Sequence, residues 1–315
     1  MNIRLTRPYS WRKILDKDWR FRKRIAISKP FLSTTEINHL ILLHKIGNVY
    51  KEETGRKLHI KHPRSFNEKL IWLALYWKHP LKTFCADKIK VREYAQSKGL
   101  PKDIFPTIYG IWGDAASIEW DMLPQRYVLK CNHGCAMNIL VKDKDAINQK
   151  QISQQLQQWL NQTYTGSGIE FQYEGIKPRL IFAEEFFEVE QNKRLADYKI
   201  MCINGRPEFI LYCYDRDEAE NAQLASFSLS WKQLFYTTGE HPLNIHAPKS
   251  LDKMISFAQV LSNDFPFVRV DFYDIFGSPY LSELTFSPYG NIITYIKPEI
   301  LDSLGKKLKL PKRIS

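Results

Sequence analysis

Arg269, Asp271, Glu283 and Thr285 have the types and spacing for chemistry. Val268-Arg269-Val270-Asp271-Phe272-Tyr273 alternates as a strand does, Phe276-Gly277-Ser278-Pro279 has turn composition, and Tyr280-Leu281-Ser282-Glu283-Leu284-Thr285-Phe286 alternates again. Pairing around that turn predicts Asp271 and Glu283 as neighbours on one face, with Arg269 beside them. Two adjacent carboxylates repel unless a cation lies between them, and hard oxygen ligands of this kind suit Mg²⁺, which usually arrives with a nucleotide's phosphates. The competing reading is an Arg269–Asp271 pair on a solvated sheet face.

Three further groups invite the same question. Lys130 ends the strand Tyr127-Val128-Leu129-Lys130-Cys131 and precedes the small-residue loop Asn132-His133-Gly134-Cys135-Ala136-Met137, after which Asn138-Ile139-Leu140-Val141 forms another strand. A strand, loop and strand with a Lys at the mouth is one way to fold a flap over phosphates, although one glycine is a weak signal. Cys131, His133 and Cys135 alternate, which is not a zinc-site spacing. Asp197 and Lys199 share a strand face, either as a surface ion pair or as contacts for ribose and phosphate. Asp87-Lys88 and Arg92, taken alone, read as a solvated helix face.

These residues need elements to hold them. Ser65-x-x-Glu68 is a capping box that opens a helix bearing Leu70, Leu73 and Trp77. One helix is expected from about Thr83 to Lys98, another from Asp145 to Tyr164, and others over Lys249–Asn263 and Pro298–Leu308. Strands are expected at Thr107–Trp112, Arg179–Ala183, Asp197–Ile203 and Pro207–Tyr214, the last two joined by an Asn204-Gly205 turn. Leu224 to Tyr236 has no clear period.

The chain of 315 residues is 44% hydrophobic and 13% aromatic, which describes a globular protein of two or three subdomains. No apolar run reaches the ~18 residues of a membrane span, and the start lacks a signal peptide's apolar core, so a cytoplasmic protein is expected. Five cysteines without C-x-x-C spacing suggest no disulfide framework. The net charge of +12 is concentrated at the start, where ten Lys and Arg face two Asp between Met1 and Pro30. Interleaved with Tyr9, Trp11, Trp19 and Phe21, this arm suits an anionic membrane surface or polymer, or is simply a solvated extension. Nucleic acid is disfavoured, because no helix-turn-helix, zinc-finger or RNP signature accompanies the charge.

Taken in order, Asp87-Lys88 with Arg92, Lys130 before its loop, Glu184-Glu185, Arg269-Val270-Asp271 and Glu283-Leu284-Thr285 resemble the ATP-grasp superfamily. Ser65-Phe66-Asn67-Glu68-Lys69-Leu70, Val128-Leu129-Lys130-Cys131-Asn132-His133-Gly134, Asp197-Tyr198-Lys199 and Glu283-Leu284-Thr285-Phe286 are more closely similar to the TupA-like ATP-grasp family. That resemblance spans roughly Pro63 to Gly305. It implies an α+β ATP-grasp fold in which two subdomains clasp ATP between antiparallel sheets. The expected organisation is a basic, helical N-terminal extension (1–62), a substrate-side subdomain (63–124), a small lid (125–187) and a C-terminal catalytic subdomain (188–315).

The resemblance also implies roles. Lys88 and Lys130 would contact ATP phosphates under a flap containing His133 and Gly134. Glu184, Glu185, Phe186 and Phe187 would form the hinge that reads adenine through its backbone. Asp197 would hold ribose, and Lys199 would act beside the phosphates in binding and catalysis. Asp271, Glu283 and Thr285 would ligate one or two Mg²⁺, and Arg269 would stabilise the charge that develops in the reaction. Two positions depart from the superfamily pattern: Ala136 stands in a flap that usually holds more glycine, and Thr285 stands where many ligases have Asn.

The implied activity is an ATP-dependent carboxylate–amine ligase of bacterial surface-polymer biosynthesis, acting through an acylphosphate. By the same resemblance, its partners are a uronic acid or other carboxylated glycan component of a capsule or O-antigen, and an amino acid or peptide amine. A sugar kinase on the same scaffold and a non-catalytic glycan- or membrane-binding protein are the alternatives. The basic arm would suit a peripheral site at the inner face of the membrane.

Overall fold

A computed structural model describes residues 3–4, 33–164, 169–187, 195–215 and 221–314. The expectations for the rest of the basic arm and for the loop at Gly166-Ser167-Gly168 lie outside the described residues.

Two capped helices come first. Helix α1 (Thr34–Thr54) opens on Ser33, whose side chain accepts from Glu36 N while the Glu36 carboxylate accepts from Ser33 N, and it closes on Gly55 at φ 70°. Helix α2 (Phe66–Tyr76) repeats the box with Ser65 and Glu68. The Glu68 carboxylate also accepts from His59 N and Arg64 N, which fixes the preceding loop.

The long helix expected from Thr83 to Lys98 is two short ones, α3 (Pro80–Ala86) and α4 (Val91–Ser97). Asp87 makes the break: its Oδ1 accepts from Ile89 N at 2.9 Å and Lys90 N at 3.3 Å, replacing the helical bonds that would continue α3. Apolar periodicity is blind to this competition between one side chain and the helical bonds.

The first sheet has four strands in the order β2-β5-β3-β4, all pairs antiparallel. They are β2 (Ile108–Trp112), β3 (Tyr127–Cys131), β4 (Asn138–Val141) and β5 (Ile181–Glu185). Helix α5 (Gln149–Asn161) covers one face, placing Leu156 and Leu160 against Tyr127, Leu129, Val141, Ile181 and Ala183. The other face carries Lys130, Phe182 and Glu184 by simple alternation. A short helix α6 (Phe171–Glu174) lies between α5 and β5 in the chain.

The second sheet has six strands in the order β1-β8-β7-β6-β9-β10, again antiparallel. They are β1 (Ile3–Arg4), β6 (Asp197–Ile203), β7 (Arg206–Tyr214), β8 (Asn221–Phe227), β9 (Phe267–Ile275) and β10 (Ser278–Thr285). Strand β8 begins before the segment that had no clear period and ends within it. Helix α7 (Leu251–Ser262) packs Met254, Ala258 and Leu261 into one core with Ile200, Val268, Val270 and Phe272. Each such fully buried aliphatic contributes about 1.5–3 kcal/mol, so this face of the sheet is fixed by its apolar set. Asp197, Lys199, Arg269, Asp271, Glu283 and Thr285 alternate onto the opposite face. Helix α8 (Pro298–Lys307) ends the fold against α2, where Gly305 lets the backbones touch: a Cβ there would meet Arg64 O at 2.2 Å.

Candidate active site

Strands β9 and β10 meet at Phe276 and Gly277, whose φ values of 51° and 88° form the tight turn. Pairing runs in simple register as far as Leu281 opposite Phe272 and then slips by one residue, so that Glu283, rather than Ser282, stands opposite Asp271. Without this bulge Glu283 would point into the apolar face under α7. Strand β6 extends the row by placing Lys199 opposite Asp271. Three adjacent strands therefore present Lys199, Asp271 and Glu283 side by side.

The row is densely bonded. Asp271, 1% exposed, accepts from Arg269 Nε at 2.7 Å and Nη2 at 2.6 Å, and from Lys199 Nζ at 3.0 Å. Lys199 also lies 3.3 Å from Asp197. Arg269 Nη2 donates to Thr285 Oγ1 at 3.0 Å and to Glu283 Oε1 at 3.4 Å, and the Thr285 hydroxyl donates to Glu283 Oε1 at 2.6 Å. Burial disfavours the charge on Lys199, but Asp197 and Asp271 outweigh it and raise its pKa. For Glu283, burial favours the neutral acid, yet Lys88, Arg269, Lys199 and the Thr285 hydroxyl hold its pKa down at about 2. Glu283 is thus an anion at neutral pH. Its Oε2 has Lys88 Nζ at 3.9 Å, beyond hydrogen-bonding distance.

Lys88 reaches this row from the turn between α3 and α4, and its ammonium donates to the Gly134 carbonyl at 2.6 Å. It therefore bridges the loop after β3 and the Glu283 carboxylate of β10. Gly134 lies close to two side chains: a Cβ there would meet Met137 Sδ at 2.8 Å and Tyr164 Cδ2 at 2.9 Å, so both would have to shift. Ala136 takes a left-handed φ of 56°. The His133 side chain turns away from the row: it is fully buried, and its ring Nε2 lies 3.1 Å from the Trp159 carbonyl on α5. Burial lowers its pKa and keeps the ring neutral. What His133 can offer a ligand is therefore its backbone.

Between the small sheet and the β9–β10 hairpin lies a crevice whose walls include Lys88, Arg92, Lys130, Phe182, Glu184 and Leu281. Lys130 forms an ion pair with Glu184 there. Glu185 faces elsewhere, accepting from Thr107 N at 3.1 Å. Phe186 is half-buried, and the Phe187 ring lies 4.4 Å from that of Tyr280. The structure thus brings Lys88, Asp197, Lys199, Arg269, Asp271, Glu283 and Thr285 together, and places Lys130 and Glu184 on the facing wall. Sequence reasoning left Arg92, Phe182 and Leu281 without roles. Alternation in β5 puts Phe182 on the face of Glu184 and was a usable signal; Arg92 offered none beyond its distance from Lys88.

The donors bear on metal and nucleotide binding. Among the described residues no group of three or more His, Cys, Asp or Glu is placed to hold a metal ion. Asp271, Glu283 and Thr285 offer two carboxylates and a hydroxyl, too few for an all-protein cage. That set fits Mg²⁺, which commonly takes one or two carboxylates and completes its sphere with water and phosphate oxygens. The cations Lys88, Lys130, Lys199 and Arg269 converge on the same space and suit a polyphosphate.

No helix among the described residues is long and apolar enough to cross a membrane. No curated protein matches the chain. Among solved structures, D-alanine–D-alanine ligase from Bacillus anthracis is 15% identical with a TM-score of 0.42, covering 70% of this chain and 63% of the ligase. An L-amino acid ligase from Bacillus licheniformis is 14% identical with a TM-score of 0.44, covering 72% and 51% respectively. The chain spans between half and two thirds of those ligases' own lengths, and likeness at this level carries no chemistry. The model of the family described as TupA-like ATP-grasp matches residues 68–309, well over half of the chain, and the protein belongs to that family, with its α+β ATP-grasp fold.

Proposed function

We propose that this protein is an ATP-dependent carboxylate–amine ligase. The observation that carries the reading is the in-register row Lys199–Asp271–Glu283, flanked by Arg269 and Thr285 and met by Lys88 from across the cleft. Phosphoryl transfer needs positioning and charge neutralisation more than a protein nucleophile, and this row supplies both.

In this reading ATP enters the crevice between the two sheets. Lys88 and Lys130 contact its phosphates, Glu184 to Phe187 and Asp197 hold adenosine, and Asp271, Glu283 and Thr285 are the oxygens for Mg²⁺. Bound there, Mg²⁺ would neutralise phosphate charge as a Lewis acid. A substrate carboxylate oxygen attacks the γ-phosphorus, and the bond to the β-phosphate oxygen breaks, leaving ADP. Lys199 and Arg269 stabilise the spreading negative charge. An amine nitrogen then attacks the acyl carbon, phosphate leaves with one former carboxylate oxygen, and the nitrogen loses a proton.

The family resemblance and the +12 charge support a uronic acid or other carboxylated component of a surface polysaccharide as the acceptor, and an amino acid or peptide as the amine. The same charge supports a cytoplasmic protein at the inner face of the membrane, engaged through its basic start.

ADP release with Mg²⁺ tests the reading, using uronic-acid glycans with and without amino acids. Release that requires both partners is expected. A stable phosphorylated sugar formed without amine would identify a kinase instead, and no nucleotide binding would leave a non-catalytic protein.

A further inference from the structure

Glu184 is 6% exposed on β5 and is gripped by two cations from different elements. Lys130 on β3 pairs with its Oε1, and Arg92 Nη2 on α4 lies 3.4 Å from its Oε2. Arg92 is itself anchored independently of Glu184. Its Nη1 donates to the Pro106 carbonyl at 2.8 Å, and its guanidinium sits 4.9 Å from the centre of the Phe105 ring. Its Nε is buried and has no hydrogen-bond partner among the described residues.

The nucleotide reading creates a conflict at this point. Lys130 has one ammonium, and it is already committed to Glu184. If Lys130 turns to a phosphate, Glu184 becomes a buried carboxylate that has lost its closest partner, which is strongly unfavourable. Either Glu184 takes up a proton or a second cation keeps it charged. Arg92 is that cation: it cannot deprotonate, and its planar fork has donors to spare.

Resting on the nucleotide reading above, we propose that Arg92 is a positioning residue that holds Glu184 as an anion while Lys130 moves from Glu184 to the nucleotide's phosphates. The Lys130–Glu184 pair is then a latch across the crevice, and Arg92 is the partner that stays when it opens. Other groups around Glu184 cannot substitute. Ile108 on β2 and Val128 on β3, its register partners, carry no charge. Tyr273 on β9 lines the same crevice but is not a cation, and Lys88 donates to the Gly134 carbonyl and, in the nucleotide reading, turns to the phosphates rather than to Glu184.

The proposal separates charge from shape. In Arg92→Gln, opening the latch forces Glu184 to bind a proton, so nucleotide affinity must fall as pH rises. Calorimetric titration with Mg²⁺ and ADP at pH 6 and pH 8 would measure this, and the parent chain cancels the nucleotide's own titration. The expected result is a loss of about 10- to 100-fold at pH 8 and a clearly smaller loss at pH 6. Adding Glu184→Gln to Arg92→Gln should bring affinity back to within about threefold of the parent, because no buried charge remains. Melting temperatures of both variants would confirm that they are folded, and the rescue itself requires it. Arg92→Gln binding like the parent would overturn the proposal, as would a loss equal at both pH values and not relieved by Glu184→Gln. Failure of the parent to bind the nucleotide would instead overturn the nucleotide reading, and this inference with it.

Discussion

The two walls of the cleft hold their charges in different ways. On the large sheet, Asp271 is clamped by both arms of Arg269 and by Lys199, and Arg269 continues to Thr285 and Glu283, all on strands locked in register. On the small sheet the grips are single contacts between separate elements: Lys130 to Glu184, Arg92 to Glu184, and Lys88 to Gly134. A network in which every member has several partners resists rearrangement, whereas a single ion pair exchanges partners readily. The large sheet is therefore built to keep fixed charges, and the small one holds charges that can change partners.

Substitutions in the rigid wall should cost the most. Asp271→Asn leaves Arg269 and Lys199 buried without their shared anion. Turnover should fall by about 10³-fold or more, and chemical denaturation should show a stability loss of about 3 kcal/mol. Intact turnover would show that the row is structural. Deleting Ser282 attacks the same wall through its backbone. Removing the bulged residue restores simple pairing with Glu283 still opposite Asp271, so activity should fall by less than in Asp271→Asn while the far-UV spectrum keeps its β-content. A loss as large as that of Asp271→Asn would mean that the bulge itself, and not only the facing of Glu283, shapes the row.

The exchangeable wall should respond differently. Lys130→Ala should raise the KM for ATP about tenfold with a smaller change in kcat, since a grip on the ground state is lost. An equal fall in kcat and kcat/KM would place Lys130 among the fixed charges. The smallest effect should be on acid stability. Glu283 has a folded pKa of about 2 against an ordinary value of 4.5, so its contribution is fully present above pH 4.5 and is lost as pH falls through 2. With its side chain 26% exposed, that contribution should be about 2 kcal/mol. Glu283→Gln should remove this part of the acid sensitivity in pH-dependent denaturation; an unchanged profile would show that Glu283 is not held by its cations.

The same contrast explains what the sequence revealed. Alternation alone placed β9, β10 and β6 and put Arg269 with Asp271, and Asp197 with Lys199, on one face of their own strand, because a period of two is a local property. The slip at Ser282 was invisible, since neither the turn composition nor the alternation of Tyr280 to Phe286 marks an extra residue. The break at Asp87 was hidden for a related reason: one side chain outcompeted helical bonds, which no apolar pattern marks. Arg92 and Glu184, 92 positions apart, belong to different elements. Their pairing depends on how α4 packs beside the small sheet, which no local pattern encodes. His133 shows the limit for loops, where the family resemblance implied a flap contact but packing on α5 turned the ring inward.

The central claim is an acylphosphate made from a substrate carboxylate, and oxygen-18 placed in that carboxylate tests it most directly. Mass analysis of the phosphate released during amine-dependent turnover should find one labelled oxygen, carried over when the acyl–oxygen bond breaks. Unlabelled phosphate, with ADP still formed, would contradict the ligase and show that the γ-phosphoryl group went to a hydroxyl or to water.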